Sequence, residues 1–210
     1  MPATHEAYIT DSLFEEGLGH VYVLRKKSPQ KMEAGVFLID PYCLGVRDAF
    51  FYEGTEADVR ERIETNPYPL SQKPADYVRT LIEESIAYAK KLGFGPHKDY
   101  KKAARVLGGL KASGDLKGFN FGKDGKPYYV QSQYHSEDDA RRIVAKLTRI
   151  CGEDGFHYLL KIGESDEYED GIEERIVLYE GWLDGLTPER EALLVNGPSE
   201  AAKRCYLDFA

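Results

Sequence analysis

The stretch Ala34-Gly35-Val36-Phe37-Leu38-Ile39-Asp40 constrains the fold more than any other part of the chain. It is apolar almost throughout and short, so it reads as a central strand of a sheet. Such a strand needs neighbours. His20 to Lys26 is β-rich and partly alternating and supplies one, with Ser28-Pro29-Gln30-Lys31 as the turn between the two. Pro41 and Gly45 bracket a bend, and Arg47 to Glu53 beyond it fits a third strand or a helix-like turn. The N-terminal part is therefore a hairpin or meander. Residues 1–19 begin irregularly, with one short helical turn over 11–17 that Gly17 stops.

A second pattern supplies the layer that such a sheet needs. Val78, Leu81, Ile82, Ser85, Ile86, Ala89 and Leu92 recur with a period near 3.6, the stripe of a helix with one buried face. Pro74 fits its first position and Gly93 its end. Upstream, Thr55 with Asp58 has the spacing of a capping box for a helix to about Glu64, which Asn66-Pro67-Tyr68-Pro69 stops. Downstream, Asp99 can cap a helix through Ala103, Ala104, Val106 and Leu107, ended by Gly108-Gly109.

Phe119 to Gln133 reads as a hairpin about Lys123-Asp124-Gly125. Ser136 and Asp139 start a further helix, with Ala140, Ile143, Val144, Leu147 and Ile150 on one face. Phe156 to Ile162 and Ile176 to Tyr179 are strand candidates. Thr187-Pro188-Glu189 opens a helix, and 198–207 is a last helical stretch. Runs of strands and of helices, without strict alternation, predict an α+β fold: an N-terminal strand meander, central helices and a later hairpin–helix–strand unit.

Charge is segregated along the chain. Residues 164–210 hold 13 acidic and 4 basic side chains, whereas the preceding residues nearly balance. The expected organisation is a main α+β domain over 1–163 and an acidic C-terminal extension over 164–210 packed on it. Within the main domain, residues 90–126 carry ten bases against Asp99, Asp115 and Asp124. Phe94, Tyr100, Phe119, Phe121 and Tyr128 lie among them. Cations interleaved with rings suit phosphates and bases, while the same pattern also describes a solvated helix face.

With mean hydropathy −0.50 and 30% charged residues, the chain has no run of 18 apolar residues, so no membrane span is expected. Its start lacks a basic and an apolar signal region. Three cysteines, Cys43, Cys151 and Cys205, make no disulfide framework, and a cytoplasmic location is expected.

Two loops could hold chemistry. Asp40, Cys43 and Asp48 flank the bend after the apolar strand; a thiol there is a nucleophile if a base lowers its pKa, and two carboxylates bind a metal if they converge. His97 and Asp99, after the rigid Gly95-Pro96 turn, have the residue types of an acid/base pair. The plain structural alternatives are a small buried thiol, a strand-end cap and a helix N-cap. Phe119 to Pro127 has glycines and lysines but lacks the Walker spacing, so a hairpin turn explains it. His135, before the Ser136 helix, could meet an anion at that helix start, and His157 lies on a later strand. No C-x-x-C, H-x-x-x-H, H-E-x-x-H, G-x-S-x-G or G-x-G-x-x-G spacing occurs. No metal and no cofactor are expected.

Three segments in this order, Gly35-Val36-Phe37-Leu38-Ile39-Asp40-Pro41-Tyr42-Cys43-Leu44-Gly45-Val46-Arg47-Asp48-Ala49-Phe50, then Leu92-Gly93-Phe94-Gly95-Pro96-His97-Lys98-Asp99-Tyr100, then Phe121-Gly122-Lys123-Asp124-Gly125-Lys126-Pro127, resemble a family of bacterial proteins of similar size. No activity attaches to that family. The resemblance implies a bacterial, cytoplasmic setting and assigns no residue a role.

Three functions fit these features. The first is an accessory protein that binds an acidic partner, nucleic acid among the candidates, through residues 90–126; Lys98, Lys101, Lys102 and Arg105 then contact the anion and Tyr100 or Phe94 stacks. The second is a hydrolase that gathers Asp40, Cys43, Asp48, His97 and Asp99 into one cleft. The third is a structural subunit of a larger assembly, docking through Tyr179, Trp182 and Leu183.

Overall fold

A computed structural model describes residues 5–113, 118–163 and 176–180. The chain divides into two compact units, Met1–Gly125 and Lys126–Ala210.

In the first unit the order is β1 (His5–Thr10), α1 (Leu13–Glu16), β2 (Gly19–Ser28), β3 (Lys31–Asp40), β4 (Gly45–Gly54), α2 (Glu56–Glu64), β5 (Leu70–Lys73), α3 (Ala75–Lys91) and α4 (Tyr100–Ala103), which runs into a 3-10 turn, Ala104–Leu107. The five strands form one antiparallel sheet in the order β4-β3-β2-β1-β5. The apolar run lies in β3 and is covered on both faces. Phe37 and Ile39 pack with Val78, Leu81, Ile82 and Ile86 of α3 and with Ala103, Val106 and Leu107. Ala34, with Leu24 and Met32, packs with Val59 of α2. Each large apolar side chain buried this way stabilises the fold by about 1.5–3 kcal/mol.

Every stripe position of α3, from Val78 to Leu92, is buried. Pro74 precedes the helix instead of occupying its first turn. The Thr55–Asp58 capping box forms at α2. Gly17 takes φ +74 and ends α1 as expected. Residues 47–53 are a strand and not a helix-like turn.

The sequence reading missed β1 and β5. The alternation in β1 spans few residues, with Ala7 and Ile9 in the core cluster and Glu6 and Tyr8 on the other face. β5 is Leu-Ser-Gln-Lys, an edge strand that only its pairing with β1 defines. Both depend on tertiary pairing more than on local pattern.

Gly35 lets the basic segment lie flat on the sheet. A Cβ there would stand 2.7 Å from Val106 Cγ1 and 2.8 Å from the Ala103 carbonyl oxygen. No side chain fits, so β3 and the residues after α4 approach backbone to backbone.

The second unit contains β6 (Tyr128–Val130), α5 (Glu137–Cys151), β7 (His157–Gly163) and β8 (Ile176–Glu180), with strands in the order β6-β7-β8. β6 and β7 are parallel, with α5 as the crossover, and β8 is antiparallel to β7. The Ser136–Asp139 capping box forms at α5.

The hairpin expected over 119–133 is the element that differs most. Its turn forms, with Asp124 at φ 53 and Gly125 at φ 79. Its first arm does not become a strand. Phe119 instead packs edge-on to Tyr77 and stacks on Phe14, Phe121 stacks on Tyr88 of α3, and the Gly122 N–H donates to the Pro41 carbonyl. Ring burial on α3 outweighs strand pairing for this segment.

The expected loop over 164–174, the helices from 187 and 198, Cys205, Trp182 and Leu183 lie outside the described residues, and of Tyr179 only the backbone is described. No helix of the described residues is long and apolar enough to cross a membrane.

Candidate functional site

The site begins where α3 ends. Gly93 takes φ +81, its N–H donates to the Lys90 carbonyl, and the Phe94 N–H reaches back to the Ala89 carbonyl. This is a Schellman closure, and it turns the chain sharply back. The Gly95-Pro96 step follows. The His97 N–H then donates to the Val46 carbonyl of β4 at 2.9 Å, which ties the loop to the edge of the sheet. Tyr100 N–H donates to the His97 carbonyl as α4 starts. Asp99 precedes α4, but its side chain makes no capping hydrogen bond, unlike the expected cap.

Between α3 and this loop runs a groove of about 700 Å³. Glu83, Ile86 and Lys90 form the α3 wall, and Pro96, His97, Lys98, Tyr100 and Lys101 form the other. Ile86 is buried, and the half-buried Tyr100 ring leans on Phe37 with centroids 6.0 Å apart. Burial raises the Tyr100 phenol above its ordinary pKa, with Glu83 adding to the rise. Tyr100 is therefore an apolar floor fixed to the core more than a free stacking ring. Lys90, Lys98 and Lys101 are exposed at the rim. Glu83 brings the carboxylate among the lining residues, and it is already engaged: Arg79 Nε donates to Glu83 Oε1 at 2.8 Å. Arg79 also donates to the carbonyls of Leu107 and Leu110, so one guanidinium both occupies Glu83 and ties α3 to the end of the basic segment.

The sequence reading placed Ile86 in the buried stripe of the helix without tying it to a site, and did not single out Glu83. Their i, i+3, i+7 spacing with Lys90 marks one helical stripe, which could have joined them to the basic segment.

The two loops expected to carry chemistry separate into a buried part and a groove part. At the β4 start the ladder slips between Leu38 and Ile39: Leu38 pairs with Asp48 and Ile39 with Val46, which leaves Arg47 as the extra residue of a bulge. The Asp48 side chain sits next to the loop, with Oδ1 3.3 Å from His97 Nδ1. Asp99 Oδ2 stands 3.8 Å from the same nitrogen. Asp48, His97 and Asp99 are thus brought together at the groove.

Asp40 and Cys43 are not groove residues. The Asp40 carboxylate accepts the N–H groups of Tyr42 at 2.9 Å and Cys43 at 2.8 Å, which shapes the tight turn into β4. Burial pushes its pKa up to about 6, against the pull of Arg47 and those N–H groups. Cys43 is fully buried beside it. Lys102 is exposed next to the lining lysine, and Arg105 holds its guanidinium over the Phe51 ring at 5.6 Å. The half-buried Phe94 closes the Schellman turn with its backbone N–H and is not among the residues that line the groove. In the second unit, Lys126 donates to the Asp154 carbonyl, and the buried Tyr129 hydroxyl lies 2.8 Å from His135 Nδ1. Within the first unit, the α4 end of the basic segment is the part that lines a concavity.

His20 is a neighbour the sequence did not flag. It shares a cross-strand row with Leu38 and Asp48. Its Nδ1 is buried with no hydrogen-bond partner among the described residues. Burial lowers its pKa, and the Asp48 charge opposes that shift. Among the described residues, no group of three or more His, Cys, Asp or Glu side chains is arranged to hold a metal ion.

No protein-family model, curated protein or solved structure matches this chain.

Proposed function

We propose that this protein binds an acidic partner through the groove between α3 and the 96–101 loop, and that the partner is single-stranded nucleic acid. One observation carries the reading: Lys90, Lys98 and Lys101 rim a groove whose lining carboxylate, Glu83, is already paired with Arg79. Among the described residues, no carboxylate lies within ion-pair distance of those three ammonium groups.

Size and polarity favour a short single-stranded segment. A groove of about 700 Å³ lies in the range of sites for small organic ligands, far below what a duplex needs. An apolar floor of Ile86, Pro96 and Tyr100 under a cationic rim suits a base below and a phosphate above. With a chain net charge of −8, productive contact falls to this local patch and weakens steeply with salt. The proposal sets this binding in the cytoplasm, where nucleic acid and free thiols such as Cys43 coexist.

The test is fluorescence anisotropy of a labelled single-stranded RNA titrated with the full chain at increasing salt. The reading expects binding at low salt and a linear fall of log affinity with log salt. Absence of binding at low salt, or binding indifferent to salt, overturns it.

A further inference from the structure

The groove holds more than a binding surface needs. His97 lines it between Pro96 and Lys98, and Asp48 Oδ1 stands 3.3 Å from its Nδ1. A binding groove gains no affinity for phosphate from carboxylates beside its rim, yet both Asp48 and Asp99 are placed on the His97 ring. The Asp99 backbone N–H donates towards the same nitrogen at 3.4 Å. With the proton on Nδ1 instead, the ring faces the Asp48 carboxylate at 3.3 Å, the shorter and charged contact. A carboxylate on one ring nitrogen leaves the other, Nε2, as the basic atom.

We infer that the groove cleaves the single-stranded RNA it binds, with His97 as the proton acceptor and Asp48 as its positioning residue. This inference rests on the binding reading above and names the substrate and the reaction. The groove's side chains supply proton transfer and ammonium charge. A phosphodiester that yields to those two alone carries its own nucleophile, and the 2′-hydroxyl of RNA is that nucleophile.

The step balances without a further reactant. His97 Nε2 takes the proton of the 2′-hydroxyl as the 2′-oxygen forms its bond to phosphorus. The bond from phosphorus to the 5′-oxygen breaks, and the leaving oxygen takes a proton from a lining ammonium, Lys98 or Lys101. The products are a 2′,3′-cyclic phosphate and a free 5′-hydroxyl. Proton return from imidazolium to amine through water restores the site. The lysine charges stabilise the extra negative charge on the phosphorane oxygens in the transition state.

The test incubates the full chain with end-labelled single-stranded RNA, and with DNA of the same sequence, in the presence of a chelator. Cleavage products and anisotropy are read from the same samples. The expected result is RNA fragments ending in 2′,3′-cyclic phosphate, with DNA bound but intact. His97→Ala should slow cleavage by about 100-fold or more, well beyond any change in RNA affinity read by anisotropy from the same samples. Asp48→Asn should slow it and displace the pH–rate profile, with Asp48→Glu restoring part of the rate; a merely structural role for Asp48 would leave that profile in place. Circular dichroism of each variant confirms that it is folded. RNA that binds and stays intact overturns the cleavage inference and leaves the binding reading standing. RNA that does not bind at low salt overturns both. Cleavage that survives His97→Ala overturns the assignment.

Discussion

Arg79 Nε lies 2.8 Å from Glu83 Oε1 across one turn of α3, on the wall of the groove. The pair raises the groove's positive charge without setting its sign, because Glu83 would otherwise offset one of the three lining lysines. Neutralising it by Glu83→Gln should strengthen RNA binding about two- to fivefold at low salt, an effect that added salt screens away. Arg79→Ala should act in the opposite direction, weakening binding and lowering stability by roughly 1–3 kcal/mol because the Leu107 and Leu110 carbonyls lose their donor. Anisotropy and urea denaturation of the two variants separate these effects.

The rim lysines make a graded prediction. Lys98→Ala and Lys101→Ala should each weaken RNA binding uniformly across sequences and reduce the slope of log affinity against log salt by about one. Arg105→Ala should change neither quantity much, since its guanidinium sits over Phe51 away from the groove lining. Salt titrations of the three variants beside the unmodified chain measure this.

Gly35 tests how the basic segment is held. Gly35→Ala places a methyl group 2.7 Å from Val106 Cγ1 and 2.8 Å from a backbone carbonyl that has little freedom to retreat. The expected loss of stability is about 1–3 kcal/mol, with weaker RNA binding as α4 is pushed off the sheet. Chemical denaturation and anisotropy on the same preparation check both parts.

Asp40 makes a pH prediction. Its pKa is raised from 3.8 to about 6, chiefly by burial. An acid whose folded pKa exceeds its unfolded one favours the fold when protonated. Its contribution is fully present below pH 3.8 and is lost as pH rises through about 6, a swing of about 3 kcal/mol. Asp40→Asn keeps an acceptor for the Tyr42 and Cys43 N–H groups and cannot titrate. Stability measured against pH should therefore lose this downward slope in the variant. His20, whose pKa burial lowers, has the opposite slope: its contribution is present above 6.5 and is lost as pH falls through its folded value. The comparison is made as variant minus unmodified chain, which cancels His20.

Much of the fold is visible in local pattern because the signals are strong where burial is one-sided. The α3 stripe, the two capping boxes and the apolar run of β3 each contain their own explanation. What escapes local reading depends on distant partners. β5 exists because β1 offers it an edge, and the 119–122 segment leaves strand geometry because Tyr77, Tyr88 and Phe14 offer it rings.

The site divides the same way. His97 and Asp99 are close in sequence and their meeting could be read from it. Asp48 reaches them through the β4 bulge and the His97 N–H bond to Val46, neither of which has a local signature. Asp40 and Cys43 share a loop with Asp48 and look equally exposed to chemistry in sequence. Only the fold shows that the Asp40 carboxylate is spent on the backbone of its own turn.

The most direct measurement is a lysine footprint. The full chain is acetylated with and without bound single-stranded RNA at low salt, and protection is read at each lysine by mass spectrometry. The groove account expects protection at Lys90, Lys98 and Lys101, with Lys31, paired with Glu53 on the far side of the β3–β4 ladder, modified equally in both samples. Protection spread evenly over the surface, or concentrated away from α3 and the 96–101 loop, would contradict it.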